Sequence, residues 1–148
     1  MSSVNYVRYN RITEEPKDCY ERYPLTLTTN GSGAVQNVNI PVELVKNGKI
    51  VTLIITGQNL GASAATSTID TTTATAIPPR FRPTTAGSQT YSAVGILPAS
   101  VNASATSVHI GIVASSGVVH IGNGNLGGTF TSTQNVTLYG GSISWRCT

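Results

Sequence analysis

At 148 residues the chain is long enough for one domain with its own buried core. Only 10% of its residues are charged, against about 25% in an average soluble domain, and nine Lys/Arg against six Asp/Glu leave a net charge of +3. The 21 Thr, 15 Ser and 15 Gly disfavour a helical bundle, the many β-branched residues disfavour chain-wide disorder, and an all-β domain remains.

No apolar run approaches the roughly 18 residues that a membrane helix needs. The start, Met1-Ser2-Ser3-Val4-Asn5-Tyr6, lacks a basic region followed by an apolar one, so no secretory signal is expected. Charge is concentrated early. Arg8, Arg11, Glu14, Glu15, Lys17, Asp18, Glu21 and Arg22 fall within residues 1–24, together with Tyr6, Tyr9, Tyr20 and Tyr23. After Lys49 only Asp70, Arg80, Arg82 and Arg146 are charged. A boundary is predicted at Tyr23-Pro24, with an N-terminal arm over 1–24 and a β domain over 25–148. Thr13 is placed to cap a short helix, with Glu14 and Glu15 at the positive end of its dipole. Four tyrosine rings are costly to leave in water, which favours an arm docked on a neighbouring subunit.

The first predicted strand is 25–28, followed by the turn Asn30-Gly31-Ser32-Gly33. Val38, Ile40, Val42 and Leu44 then alternate with polar residues, and Pro41 marks an edge or bulge. Lys46-Asn47-Gly48-Lys49 carries the Asn-Gly hairpin signal, with both central residues at positive φ, and 50–56 is the return strand. Residues 66–76 read as a Thr-rich strand. Pro78-Pro79-Arg80-Phe81-Arg82-Pro83 cannot join a ladder and reads as a rigid loop. Strands at 91–97, 106–113, 118–121 and 136–145 complete a set of eight, with no crossover helices that would allow a parallel α/β fold. Eight short strands with regular turns predict a sandwich, barrel or jelly roll.

Four stretches taken in order resemble the C-terminal head domains of phage tail fibres and related viral surface proteins. They are Ile77-Pro78-Pro79-Arg80-Phe81-Arg82-Pro83, Val94-Gly95-Ile96, Ser116-Gly117-Val118-Val119-His120-Ile121-Gly122 and Leu138-Tyr139-Gly140-Gly141-Ser142-Ile143-Ser144-Trp145. The resemblance spans roughly residues 48–146. It implies an antiparallel jelly roll like the complement globular head and tumour-necrosis-factor-like folds, assembled as a homotrimer. It further implies a structural role in the virion and attachment to a host surface glycan or protein. It places the loop Pro79, Arg80, Phe81, Arg82 as a structural crossover near a protomer interface. There Arg80 or Arg82 would bond carbonyls left free by the prolines.

Catalytic and cofactor chemistry finds few supports. Gly122-Asn123-Gly124-Asn125-Leu126-Gly127 matches G-x-G-x-x-G, but no helix-forming run follows and no Asp or Glu occurs after Asp70, so it reads as a flexible loop. His109 and His120 flank the turn Ala114-Ser115-Ser116-Gly117. If residues 114 and 117 close that hairpin, both imidazoles share one face and lie diagonally; a shift by one residue splits them. Without a nearby thiol or carboxylate they make a poor metal site and read as packed, interface or pH-sensitive histidines. Glu43 and Asp70 read as solvent-facing, no G-x-S-x-G elbow occurs, and no catalytic residue, metal or cofactor is expected. Cys19 and Cys147 are the two thiols, read as reduced. Two arginines around Phe81 are too few to track phosphates, so no nucleic-acid partner and no membrane insertion are expected.

The surface of Ser, Thr, Asn and Gly lowers the desolvation cost of packing against identical copies. With what the resemblance implies, the expectation is a trimeric virion protein, either a fibre head that binds a receptor or a capsid decoration protein that binds other coat proteins, with residues 1–24 as the arm for assembly. A virion polysaccharide-degrading enzyme is the third alternative.

Overall fold

The computed structural model describes residues 20–30, 37–62, 66–85 and 90–147. The helix start at Thr13 and the thiol of Cys19 lie outside them. Among the described residues there are eight strands: β1 (Tyr20–Thr28), β2 (Asn39–Asn47), β3 (Ile50–Ala62), β4 (Ile69–Asp70), β5 (Ala93–Val101), β6 (Ser104–Ile112), β7 (Val119–Asn123) and β8 (Asn135–Arg146). Two single-turn 3-10 helices, Thr73–Thr75 and Pro79–Phe81, lie between β4 and β5. The all-β class and the eight strands agree with the sequence reading.

The strands form one sheet in the order β1-β2-β3-β8-β5-β6-β7-β4, and the paired strands run antiparallel. The sheet curls until its two outer strands meet. Thr29, just past β1, bridges Thr71, just past β4. The Asn30 amide donates to the Asp70 carbonyl at 2.7 Å and the Thr72 amide to the Thr28 carbonyl at 2.8 Å. Thr29 and Thr71 are buried at this seam, and their hydroxyl oxygens accept from the amides of Val38 and Val119. Threonine is suited to a closing point because one side chain fills space and satisfies a backbone donor.

This seam explains the largest departure from the predicted strands. The expected strand at 66–76 shrinks to Ile69–Asp70. Thr71 and Thr75 turn their hydroxyls on the amides of Val119 and Thr28, and Thr72 bonds Thr75, so the backbone leaves the ladder for a 3-10 turn. The other difference at the front of the chain is that β1 begins at Tyr20, so Tyr23-Pro24 falls inside a strand. Its pairing with β2 runs from Tyr20↔Asn47 to Thr28↔Asn39.

The β2–β3 hairpin turns on Gly48-Lys49, because Asn47 pairs with Ile50. Only Gly48 has positive φ, +61°, which is the pattern of a type II′ turn with glycine first. This register sends Val42, Leu44, Val51, Leu53 and Ile55 inward together. In β8, Val136 and Leu138 point inward, and so do Ile143 and Trp145, although the two pairs differ in parity. Gly140 and Gly141, at φ +100° and +155°, absorb the switch. The core is continuous along the inner face, with Leu44, Leu53, Val108, Ile110, Phe130 and Leu138 wholly buried.

Candidate functional site

The proline-arginine loop is satisfied from within its own chain. Pro79 opens a single 3-10 turn, where its missing N–H costs nothing, and Phe81 closes it with a fully buried ring. The Phe81 carbonyl accepts the indole N–H of Trp145 at 2.7 Å. Arg82 is the arginine that bonds carbonyls: its Nε donates to Ile77 O and its Nη1 to Ser115 O, both at 2.7 Å. Arg80 instead pairs with Glu21 at 2.6 Å, and its guanidinium lies 4.5 Å from the Phe81 ring centroid and 5.1 Å from that of Tyr23. The hydrogen bond from Arg80 is the main reason that the Glu21 carboxyl is held below its ordinary value. The loop therefore ties β1, the β6–β7 hairpin and the end of β8 together.

That hairpin takes the first of the two registers considered. Ile112 pairs with Val119 and Ile110 with Ile121. Gly117 still adopts a positive φ, +74°, and its carbonyl accepts from the Ile77 amide. A Cβ at Gly117 would lie 2.3 Å from Ile77 O, so the close approach of the proline loop requires glycine here. His109 and His120 consequently share one face of the β6–β7 ribbon and sit diagonally, opposite Gly122 and Gly111.

The two imidazoles have separate surroundings. The His109 Nδ1 is buried without a hydrogen-bond partner. His120 is 6% exposed, its Nδ1 is 2.5 Å from Asp70 Oδ1, and its Nε2 is 2.6 Å from the Leu126 carbonyl. The sequence reading took Asp70 as solvent-facing; its side chain is 46% exposed, and the register Asp70↔His120 between β4 and β7 adds this partner. An Asp–His pair is two-thirds of a hydrolytic triad, but here Nε2 donates to a carbonyl and offers no lone pair to a nucleophile. Glu43, the other carboxylate of the body, pairs with Arg22 across the β1–β2 ladder at 2.5 Å. Among the described residues, no group of three His, Cys, Asp or Glu side chains is placed to hold a metal ion.

The glycine-rich run is built as an ordered loop. The amide of Asn123 donates to Gly128 O, that of Gly128 to Asn125 O, and that of Gly124 to Ser107 O, at 2.9 to 3.1 Å. These donors are consumed inside the protein, which is the reverse of a phosphate cradle. The loop closes on itself and on Ser107 and, as expected, opens no helix.

Two outward-facing features carry no local sequence signal. An open depression of about 280 Å³ lies over β1–β3, lined by Arg22, Pro41, Glu43, Ile54 and Thr56. On the same outer face, Val94 and Ile96 of β5 and Tyr139 of β8 are each more than half exposed. Ile96 pairs with His109, and Tyr139 follows Leu138, which pairs with Ala99.

No family model matches the chain, and no curated protein matches it. Among solved structures its fold is similar to that of the reovirus attachment protein sigma1, solved in complex with α-2,3-sialyllactose, with a TM-score of 0.62. The match covers 87% of this chain and 67% of that one at 14% identity. The fold is similar to that of this viral attachment protein. The order of the four sequence motifs points to a fold of this kind, and the bond from the Trp145 indole to the Phe81 carbonyl joins the first and last of those motifs in the core.

Proposed function

We propose that this chain is a non-enzymatic structural component of a virion surface, a fibre head that assembles as a homotrimer and binds a host surface glycan or protein. The observation that carries this reading is the fold similarity over 87% of the chain to an attachment protein captured with a sialylated sugar. Residues 1–24, whose last five are the start of β1, supply the attachment to other virion proteins. Glycan-array binding by the purified protein, with its mass measured by light scattering, is the test. Binding at three times the chain mass of 15.4 kDa supports the reading; a monomer that binds no glycan and no cell surface removes it.

A capsid decoration protein that binds other coat proteins is the second reading. It is favoured by residues 83–145, which carry no Lys, Arg, Asp or Glu and build β5 to β7 and all of β8 but its last residue. Such a surface packs against protein at low desolvation cost. Loss of particle incorporation on deleting residues 1–19, which leaves β1 whole, with no glycan binding by the intact protein, selects it. The polysaccharide-degrading alternative has weaker support, because Asp70 and Glu43 are engaged in separate pairs and the Nε2 of His120 is occupied.

A further inference from the structure

His120 joins three segments that are remote in sequence. It stands on β7, faces Asp70 on β4, and bonds the crown of the 123–128 loop at Leu126. The Tyr91 ring stacks on it at 4.7 Å between centroids, tilted by 34°. Tyr91 in turn lies over Gly111, where a Cβ would come within 2.7 Å of the ring and 3.0 Å of Leu126 Cδ2. The loop's own amide bonds close it on itself and on Ser107. His120 is the side chain that ties its crown to the sheet.

Counting protons shows what this tie requires. A carbonyl oxygen only accepts, so Nε2 carries a hydrogen toward Leu126. Nδ1 and the Asp70 oxygen are close enough that a second hydrogen lies between them. A neutral imidazole beside an ionised carboxylate brings one hydrogen, which serves Leu126 or Asp70 but not both. The closed arrangement therefore holds one proton more than a neutral histidine and a carboxylate supply. The titratable groups facing the ring are Asp70 from β4, the Tyr91 phenol ahead of β5, and His109 one step along the same face of β6. Burial, with a smaller contribution from Asp70, pushes the Tyr91 phenol above its usual value, which keeps it neutral through the range in which histidines change charge.

We propose that His120 and Asp70 form a proton-operated latch: in acid the imidazole holds both Asp70 and the Leu126 carbonyl, and as pH rises its one remaining hydrogen goes to the ionised Asp70 carboxylate, the stronger acceptor, so that the 123–128 loop is released. The sign follows from the count: latching takes up a proton, so acid favours the latched loop. Because the loop presents the exposed Gly124, Asn125 and Gly127, the latch makes the order of that surface dependent on the medium.

The test is amide hydrogen exchange by NMR on the full chain, corrected for intrinsic rates, at Asn123, Gly124 and Gly128. Between about pH 5 and about pH 8, the range that histidine titration spans, protection at these amides falls about tenfold. His109→Gln retains that fall, and His120→Gln abolishes it. Equal protection at both pH values in the parent chain, or a fall that survives His120→Gln, overturns the latch. If His120→Gln fails to fold, Asp70→Asn decides, since this side chain is 46% exposed and its amide keeps an acceptor without the charge. The latch requires the pH dependence to shrink at least about threefold in that variant, and an unchanged dependence overturns it.

Discussion

The indole N–H of Trp145, near the end of β8, donates to the carbonyl of Phe81 in the proline-arginine loop at 2.7 Å. Both side chains are buried, so the bond is made where water cannot substitute for it. Trp145→Phe keeps most of the ring volume and leaves the Phe81 oxygen without this donor. It is expected to destabilise the protein by about 1–3 kcal/mol, read as a lowered urea midpoint by circular dichroism. An unchanged midpoint shows that the loop does not depend on this bond.

Gly117 and Gly48 separate two costs of replacing glycine. Both have positive φ, but a Cβ at Gly48 meets nothing within 4 Å, whereas one at Gly117 lies 2.3 Å from Ile77 O. Gly48→Ala therefore loses about 1 kcal/mol, the cost of the left-handed backbone alone. Gly117→Ala adds displacement of the proline loop and loses more than about 2 kcal/mol. Equal losses in thermal unfolding of the two variants contradict the close packing of loop on hairpin.

Thr71→Val replaces a hydroxyl by a methyl group at almost constant shape. It removes the acceptor of the Val119 amide in a site only 3% exposed. The expected loss is about 1–3 kcal/mol, with faster amide exchange at Val119 and, across the seam, at Thr72 than in the rest of β7. Uniform exchange across the sheet would mean that the seam opens only with global unfolding.

The Glu21–Arg80 pair is a surface contact with a defined sign. The bond from Arg80 depresses the Glu21 carboxyl, so its contribution is present above the ordinary glutamate range and is lost as pH falls through the depressed value. In a carboxyl-detected NMR titration Glu21 titrates below a free glutamate, and Arg80→Met moves it back upward. A Glu21 titration that does not change in Arg80→Met removes Arg80 as the cause.

The strands that the sequence shows best are those whose two faces see different solvents. Val38 to Leu44 alternates because the sheet has one wet side there, and the structure puts Ile40, Val42 and Leu44 inside. The Thr-rich run around Asp70 misleads the same reading, since β propensity does not register that Thr71 and Thr75 spend their hydroxyls on neighbouring amides. The parity change in β8 is marked by Gly140-Gly141, and a pair of glycines inside an alternating strand is the signal that locates it. Asp70 and His120 are 50 residues apart. Their meeting depends on which strand lies beside β4, and no local pattern encodes that choice. The closing bond from Trp145 to Phe81 is hidden for the same reason, although both residues stand inside motifs that the sequence singles out.

The stretch without Lys, Arg, Asp or Glu, residues 83–145, splits the molecule by its response to ionic strength. Contacts made by β5 to β8 rest on shape and apolar area, and added electrolyte leaves them intact. Contacts made by β1 to β3, with Glu21, Arg22, Glu43, Lys46 and Lys49, are screened once the Debye length shrinks to a few ångströms. A salt series on any assembly of this protein therefore reports which half of the sheet is holding the neighbour.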